Sequence, residues 1–301
     1  MIHDLEVQMK VGADILHLEH IWTGWLGLGN SIPTMLNVHS LYQTDLPAEA
    51  VKGFSNRLAA WRLRRSERYL IRKHKNISVL SASLAANVRK LSPACNMAIV
   101  PFSIDASLYP YIPPERRTSE HIISLIGTMG WAPSHTAAIR LLKKLWPEIK
   151  KQLPSARVRI IGWSARTVLQ EYLNFPDVEI IENVPDIRSY FEQTGVMLYA
   201  PDRGSGMKVK ILEAFAYGVP VVTTSDGVEG LAALDGTHAS ICDDDAGLIS
   251  RTVKLLSDRA RQESQRLAAR ELIETTISPQ VMLDRLETFY ADILGRWRMP
   301  Q

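Results

Sequence analysis

The sequence predicts an α/β protein built from parallel, doubly wound sheets in two units. Three observations predict it. From residue 121 onward, apolar β-branched runs alternate with segments whose apolar residues recur at helical spacing. The strand-like runs are continuously apolar rather than alternating, as strands covered on both faces require. The 301 residues, taken at about 150 per domain, also divide at a proline-rich stretch, 103–120, that holds Pro110, Pro113 and Pro114.

The elements follow in order. ADILHLE (13–19), TMLNVH (34–39), ISVLS (77–81) and MAIVP (97–101) read as strands. Between them, residues 50–75 read as one long helix and SLAANVRKL (83–91) as a shorter one. After the linker, HIISLIG (121–127), ARVRIIG (156–162), DVEII (177–181), GVMLYA (195–200) and PVVTT (220–224) read as strands. The helical segments between these are 136–152, 165–173, 186–193 and 207–217. A short strand near ASICD (239–243) and helices over 246–257, 259–275 and 279–296 complete the pattern. The division expected is a first domain over 1–107, a linker over 108–120 and a second domain over 121–278, with 279–301 as a helix crossing back to the first domain.

Composition narrows the function. Hydrophobic residues at 46% and charged residues at 22% are those of a packed globular chain. A net charge of +3 is too weak to imply a nucleic-acid partner. The charge is uneven, with 14 Lys/Arg against 9 Asp/Glu in residues 1–117 and 21 against 23 in the rest. Cys95 and Cys242 stand far apart with no Cys-x-x-Cys pair, which argues against a zinc site or a disulfide framework and fits the cytoplasm. The opening MIHDLEVQMK reads as no secretory signal, and no apolar run is long enough to span a bilayer. Peripheral contact with the inner membrane face stays open.

The most informative stretch is PDRGSGMKVKILEAFAYGVPVVTT (201–224), a glycine-rich turn that opens a helix and leads into a strand. Gly204 and Gly206 let backbone approach a ligand, and a helix start offers free N–H groups to phosphate or sugar hydroxyls. Such a turn lies at the carboxyl end of a parallel sheet, where doubly wound folds bind ligands. Lys208 and Lys210 add positive charge. Glu213, two turns beyond Gly206 on the same side, has a carboxylate able to accept two hydrogen bonds from a ribose diol. The plainer alternative is a helix start followed by a surface glutamate.

These residues resemble the nucleotide-sugar motif of the retaining glycosyltransferases of family 4, which have the GT-B fold. The family commonly shows a Glu, seven residues, a second Glu, and then A-x-A-x-G-x-P-V-V. Glu213 to Val222 matches the second half. The first Glu would fall at Ser205, a departure, but Gly204 to Ala214 resembles a glycine-rich branch, G-[SG]-G-x-x-[IV]-K-[IL]-L-E-A. The resemblance implies that Glu213 binds the ribose, that backbone groups of Ser205, Gly206 and Met207 contact the donor sugar, and that Lys210, with Arg203 or Lys208, neutralises the diphosphate. LIGTMGWAPSHTAAIRLL (125–142) is similar to the opening strand and loop of the family's second domain, implying that Gly127 and Thr128 approach the diphosphate; Pro133-Ser134 stands where Pro-Asn is common. VEIIENVPDIRSYFEQTGVML (178–198) is similar to the loop that cradles the nucleobase, near Asn183 and Val184.

The first third resembles the family more loosely. TMLNVHS (34–40) presents His39 at a strand end, where the family's His contacts the donor sugar or the reacting centre; alone, such a His also fits a structural role. Phe102-Ser103-Ile104-Asp105 replaces the family's Asn-Gly-Val-Asp before the linker. A GT-B first domain holds about six parallel strands, whereas the sequence shows four, and the helix–strand pair of residues 1–19 resembles the middle of that domain. The first domain is therefore expected to be incomplete, through a misplaced start, a truncated inactive copy, or completion by a partner subunit.

The expected function is transfer of a hexose from a nucleotide diphosphate sugar to a hydroxyl acceptor, a polysaccharide, glycolipid or lipid-linked intermediate, with retention. The donor is a substrate, and neither cofactor nor metal is expected. The two domains would face a water-excluding cleft. The alternative is a catalytically inactive nucleotide-sugar-binding or scaffold subunit. Three further features stand out in the sequence. Residues 57–75 carry eight Lys/Arg and one acid, Glu67, interleaved with Leu58, Trp61, Leu63, Tyr69, Leu70 and Ile71. That pattern fits an anionic membrane face or an ordinary solvated helix. In His17-Leu18-Glu19-His20, strand alternation sends His17 and His20 to opposite faces, against a metal site. Asp243-Asp244-Asp245 reads as a helix cap.

Overall fold

The computed structural model describes residues 12–45, 53–117 and 121–298. The start of the 1–19 helix–strand pair, residues 50–52 of the expected long helix and residues 118–120 of the expected linker lie outside the described residues. The chain forms two units. One comprises Met1–Phe102, Ser205–Met207 and Gln280–Gln301, the other Ser103–Gly204 and Lys208–Pro279.

The first unit is a sheet of four strands, β1 (Leu16–Glu19), β2 (Thr34–Val38), β3 (Asn76–Val79) and β4 (Asn96–Ile99), in sequential order. All neighbours are parallel. Met35, Leu36, Val38, Ile77 and Val79 are fully buried, with the polar Asn37 and Ser78 buried among them. The long helix is Phe54–Lys73, entered from Gly53 in a left-handed conformation, and it buries Leu70 and Ile71. The helix Ala82–Leu91 is capped by Ser81, whose Oγ accepts the Leu84 N–H at 3.0 Å. The last helix, Pro279–Arg298, sets Phe289 and Ile293 against Met35, and Asn96 of β4 donates to its Asp292 at 2.7 Å.

The second unit is a six-stranded parallel sheet of β5 (Ile122–Ile126), β6 (Arg157–Ile161), β7 (Val178–Ile181), β8 (Val196–Tyr199), β9 (Val221–Thr223) and β10 (Ser240–Ile241). The order is β10-β9-β8-β5-β6-β7. The chain starts in the middle, builds outward through β6 and β7, and returns to the other side of β5 with β8. Two loops therefore diverge at the carboxyl ends of β5 and β8, the switch point at which such sheets bind ligands. The parallel α/β architecture predicted from the sequence is the one observed.

Local departures have local causes. The expected 136–152 helix begins at Ala132 and widens to a π-turn at Leu141–Leu145 before continuing as Trp146–Gln152. Pro147 lacks an N–H and crowds the preceding turn, which accounts for the widening. The proline-rich segment does not run free. It holds short turns at Ala106–Leu108 and Pro114–Arg116, and it is tied to its own unit where Ile104 N–H bonds Ile277 O at 3.2 Å and Ile112 N–H bonds Tyr217 O at 3.2 Å. Ile21–Gly27 forms a 3-10 stretch that apolar periodicity gave no sign of.

Candidate functional site

The second unit carries most of the residues singled out by sequence. The helix of the glycine-rich motif is Val209–Tyr217, with Lys208 at its N-cap and Gly218 ending it in the left-handed conformation. Gly206 precedes that helix and groups with the first unit. The expectation that Gly206 and Glu213 share one helical face is thus corrected: the helix begins three residues later, because Gly206 holds a left-handed φ of 72° that no helix continues.

At the switch point the loops after β5 and β8 meet. A Cβ on Gly127, which follows β5, would fall 2.5 Å from Lys210 Cε, so the absent side chain is what admits the lysine. Lys210 Nζ also sits 4.5 Å from the centre of the Tyr199 ring. Gly204 similarly leaves room for Lys208, with the position of a Cβ 3.1 Å from Lys208 Cε. Lys208 is buried. Burial, then repulsion from Lys208, pushes the Lys210 ammonium down to about 8, partly opposed by Glu213. Asp226 stands near Lys208 and accepts the Gly204 N–H, and burial raises its carboxyl.

Glu213 lies one turn beyond Lys210, half-buried. Burial raises its carboxyl, with Lys210 acting the other way. Thr128 and Arg203 are exposed near the same strand ends, and the Gly127 N–H is already engaged by Ile161 O at 2.9 Å. Asn183 and Val184 follow β7. Asn183 is exposed with φ at 57°, a left-handed conformation that asparagine tolerates.

The first unit gathers His39, Ser205, Gly206 and Met207. Ser205 donates both its N–H and its Oγ–H to Asp45 Oδ1, each at 2.7 Å, and its Oγ accepts the Leu41 N–H at 2.8 Å. The Ser205 amide is therefore committed to Asp45. The position of a Cβ on Gly206 falls 1.9 Å from the His39 carbonyl oxygen, so only glycine fits there. Met207 Sδ accepts the Phe102 N–H at 3.2 Å.

His39 is tied down by Glu19. His39 Nε2 lies 2.5 Å from Glu19 Oε1, while Asn37 donates to both oxygens of that carboxylate at 3.1 and 3.2 Å. His17 Nε2 lies 2.9 Å from Glu19 Oε2, and its Nδ1 is hydrogen-bonded to Tyr290 Oη at 2.7 Å. His17, in close contact, and then the hydrogen bond from His39 hold the Glu19 carboxyl far below the usual carboxylate range. His20 is not on the strand at all. β1 ends at Glu19, and His20 takes φ 83° as N-cap of the following 3-10 stretch.

Sequence reasoning missed Glu19, Asp45, Glu67 and Asp226. The sequence marks Glu19 only as part of the His17-Leu18-Glu19-His20 run. Glu67 is fully buried and accepts the N–H groups of Tyr42 and Gln43 at 2.6 and 3.2 Å, and burial pushes its carboxyl up to about 7. Nothing in a basic helical stretch signals that its one acid points inward. The acidic run does act as a cap: Asp244 Oδ1 accepts the Gly247 N–H at 2.8 Å. Among the described residues no group of His, Cys, Asp or Glu is placed to hold a metal ion, and no helix is long and apolar enough to cross a membrane.

Residues 120–258 match the family model "Glycosyl transferases group 1". The match spans 139 of the 301 residues. The chain is similar to sucrose-phosphate synthase from Thermosynechococcus elongatus, with 17% identity and a TM-score of 0.74 over 98% of this chain and 77% of that one. It is similar to TarM, with 14% identity and a TM-score of 0.77 over 96% of this chain and 57% of that one. It is also similar to Anabaena Alr3699/HepE, solved in complex with UDP and glucose, with 12% identity and a TM-score of 0.76 over 96% and 80%. At these identities the likeness establishes the GT-B fold. No curated protein matches the chain in sequence.

Proposed function

We propose that the protein transfers a hexose from a nucleotide diphosphate sugar to a hydroxyl acceptor, a polysaccharide, glycolipid or lipid-linked intermediate, with retention and in the cytoplasm. The observation that carries the reading is the pairing of Lys208 and Lys210 at the switch point of the second unit, beneath two glycines that leave room for them. Burial first and Lys208 second disfavour the Lys210 ammonium, a strain that a bound diphosphate would relieve. The Alr3699/HepE structures with UDP, UDP-glucose, and UDP plus glucose support a uridine nucleotide as the first donor to try.

The chemistry asks little of acids. Departure of the nucleotide diphosphate concentrates negative charge on its oxygens. Lys208, Lys210 and the first amides of the Val209–Tyr217 helix would stabilise that charge without reorganising. Glu213, one turn further on, would accept the two ribose hydroxyls. Asn183 and Val184 would flank the base, and Gly127, Thr128 and Arg203 the diphosphate. His39, oriented by Glu19, keeps the role the resemblance implies, contact with the donor sugar or the reacting centre. Ser205, Gly206 and Met207 would meet the donor sugar through backbone atoms other than the committed Ser205 N–H.

A thermal-shift series with UDP, GDP, ADP and their sugars tests the reading. One nucleotide family should raise the melting temperature, and the Lys208→Gln/Lys210→Gln double variant should lose most of the rise. No shift with any nucleotide would overturn the donor assignment.

A further inference from the structure

We propose that the outward face of the Phe54–Lys73 helix, widened by Trp25, is a docking surface for an anionic lipid bilayer. The direction of the helix carries the inference. Its inward face is fixed by the buried Ala60, Glu67, Leu70 and Ile71. Stepping 100° per residue from that face places Phe54, Leu58, Arg62, Arg65, Tyr69 and Arg72 on the opposite side, with Trp61 and Arg68 on its flank. The large apolar residues there point into solvent, with Phe54 86% and Trp61 54% exposed. An ordinary surface helix turns its apolar residues inward and its charges outward. This one buries a carboxyl alongside Leu70 and Ile71 and presents Phe, Leu and Trp as well.

Charge sharpens the case. Glu67 is the only acid among residues 57–75 against eight Lys/Arg, and it is fully buried, so the outward face is positive throughout. The rings form a platform. Tyr69 stacks on Trp25 with centroids 5.4 Å apart and planes 20° apart. Arg65 lies 5.7 Å from the centre of the Trp61 ring, and Lys73 lies 5.6 Å from that of Tyr69. Trp61, Arg65, Arg68, Tyr69, Arg72 and Lys73 together line a surface groove.

Rings with cations laid over them, flanked by protruding Phe54 and Leu58, suit the headgroup boundary of a bilayer. There Trp and Tyr settle, apolar side chains enter the acyl region, and Lys and Arg meet lipid phosphates. A soluble polyanion would use the cations alone and leave Phe54 and Leu58 in water. The surface contains none of the residues assigned to the donor, so it stands or falls apart from that assignment.

The test is flotation of the full chain with vesicles of phosphatidylcholine, alone or mixed with phosphatidylglycerol, at low and high salt. Partition is expected only with the mixed vesicles, weakened by salt. A cation near an anionic surface is worth about fivefold in partition, so Arg62→Gln/Arg65→Gln/Arg68→Gln should lower it about a hundredfold. Phe54→Ser/Leu58→Ser/Trp61→Ser, which leaves every charge in place, should lower it at least about tenfold. Brominated lipid should quench tryptophan emission in the parent chain and less in Trp61→Phe. Unchanged melting temperatures confirm that the variants fold. Absence of partition by the folded parent chain would overturn the proposal. So would partition indifferent to the apolar variant, or binding to dextran sulfate without binding to vesicles.

Discussion

Lys210 should make nucleotide diphosphate binding fall with pH above about 8. In the free protein, burial and Lys208 bring its ammonium down from 10.5 to about 8. A bound diphosphate supplies the missing counter-charge and returns the group toward its ordinary value. At pH 7 the lysine is charged with or without ligand, so affinity is complete. At pH 9 about nine-tenths of the free protein must take up a proton to bind, which weakens the dissociation constant about tenfold. Isothermal titration with UDP or ADP at pH 7 and pH 9, in buffers of different ionisation enthalpy, should show that tenfold loss and close to one proton absorbed per nucleotide at pH 9. Lys210→Gln should bind more weakly at pH 7 and lose the extra slope. A parent chain and a Lys210→Gln chain with the same pH dependence would refute the argument. The same depression acts on stability. The unfolded chain binds the proton more tightly between about 8 and 10.5, so this group favours the folded state increasingly as pH rises through that window.

Further outcomes follow from four other residues. Glu213→Ala should weaken ribonucleotide binding by about ten- to a hundredfold, the cost of losing hydrogen bonds to a charged acceptor; a 2′,3′-dideoxynucleotide, measured by the same titration, should bind parent and variant alike. Gly206→Ala should destabilise the fold by about 2 kcal/mol or more, since φ is 72° and the added Cβ falls 1.9 Å from the His39 carbonyl oxygen. By contrast, Gly236→Ala, with φ 77° and nothing within 4 Å, should cost only about 1 kcal/mol on the same chemical melt. Glu67 has its carboxyl raised from 4.5 to about 7, so its stabilising effect is complete below about 4.5 and lost as pH rises through about 7. Denaturation at pH 5 and pH 8 should show the parent chain losing on the order of 2 kcal/mol that Glu67→Gln does not lose.

Much of the fold was legible because it rests on local pattern. Residues 121–224 alternate apolar runs and helical segments, and each run became a strand within a residue or two of its expected ends. Asn183 and Gly218 sit in left-handed conformations that their side chains, or the lack of one, allow. The Lys208–Lys210 and Glu213 positions were legible as a motif. What each glycine accommodates was not. Gly127 makes way for Lys210, whereas Gly206 makes way for the His39 carbonyl.

The sequence by itself determined the element order, the parallel sheets and the identity of the charged groups near the glycine-rich turn, because periodicity and turn chemistry act over a few residues. Tertiary structure decided which groups meet. It brought Glu19 of β1 to His39 after β2, committed the Ser205 amide to Asp45, and turned Glu67 inward while Phe54 and Trp61 face out. Those pairings join residues about 20 to 160 positions apart, and the free energy that selects them comes from burial and hydrogen bonding in the folded sheet, where spacing along the chain no longer says who the neighbour is.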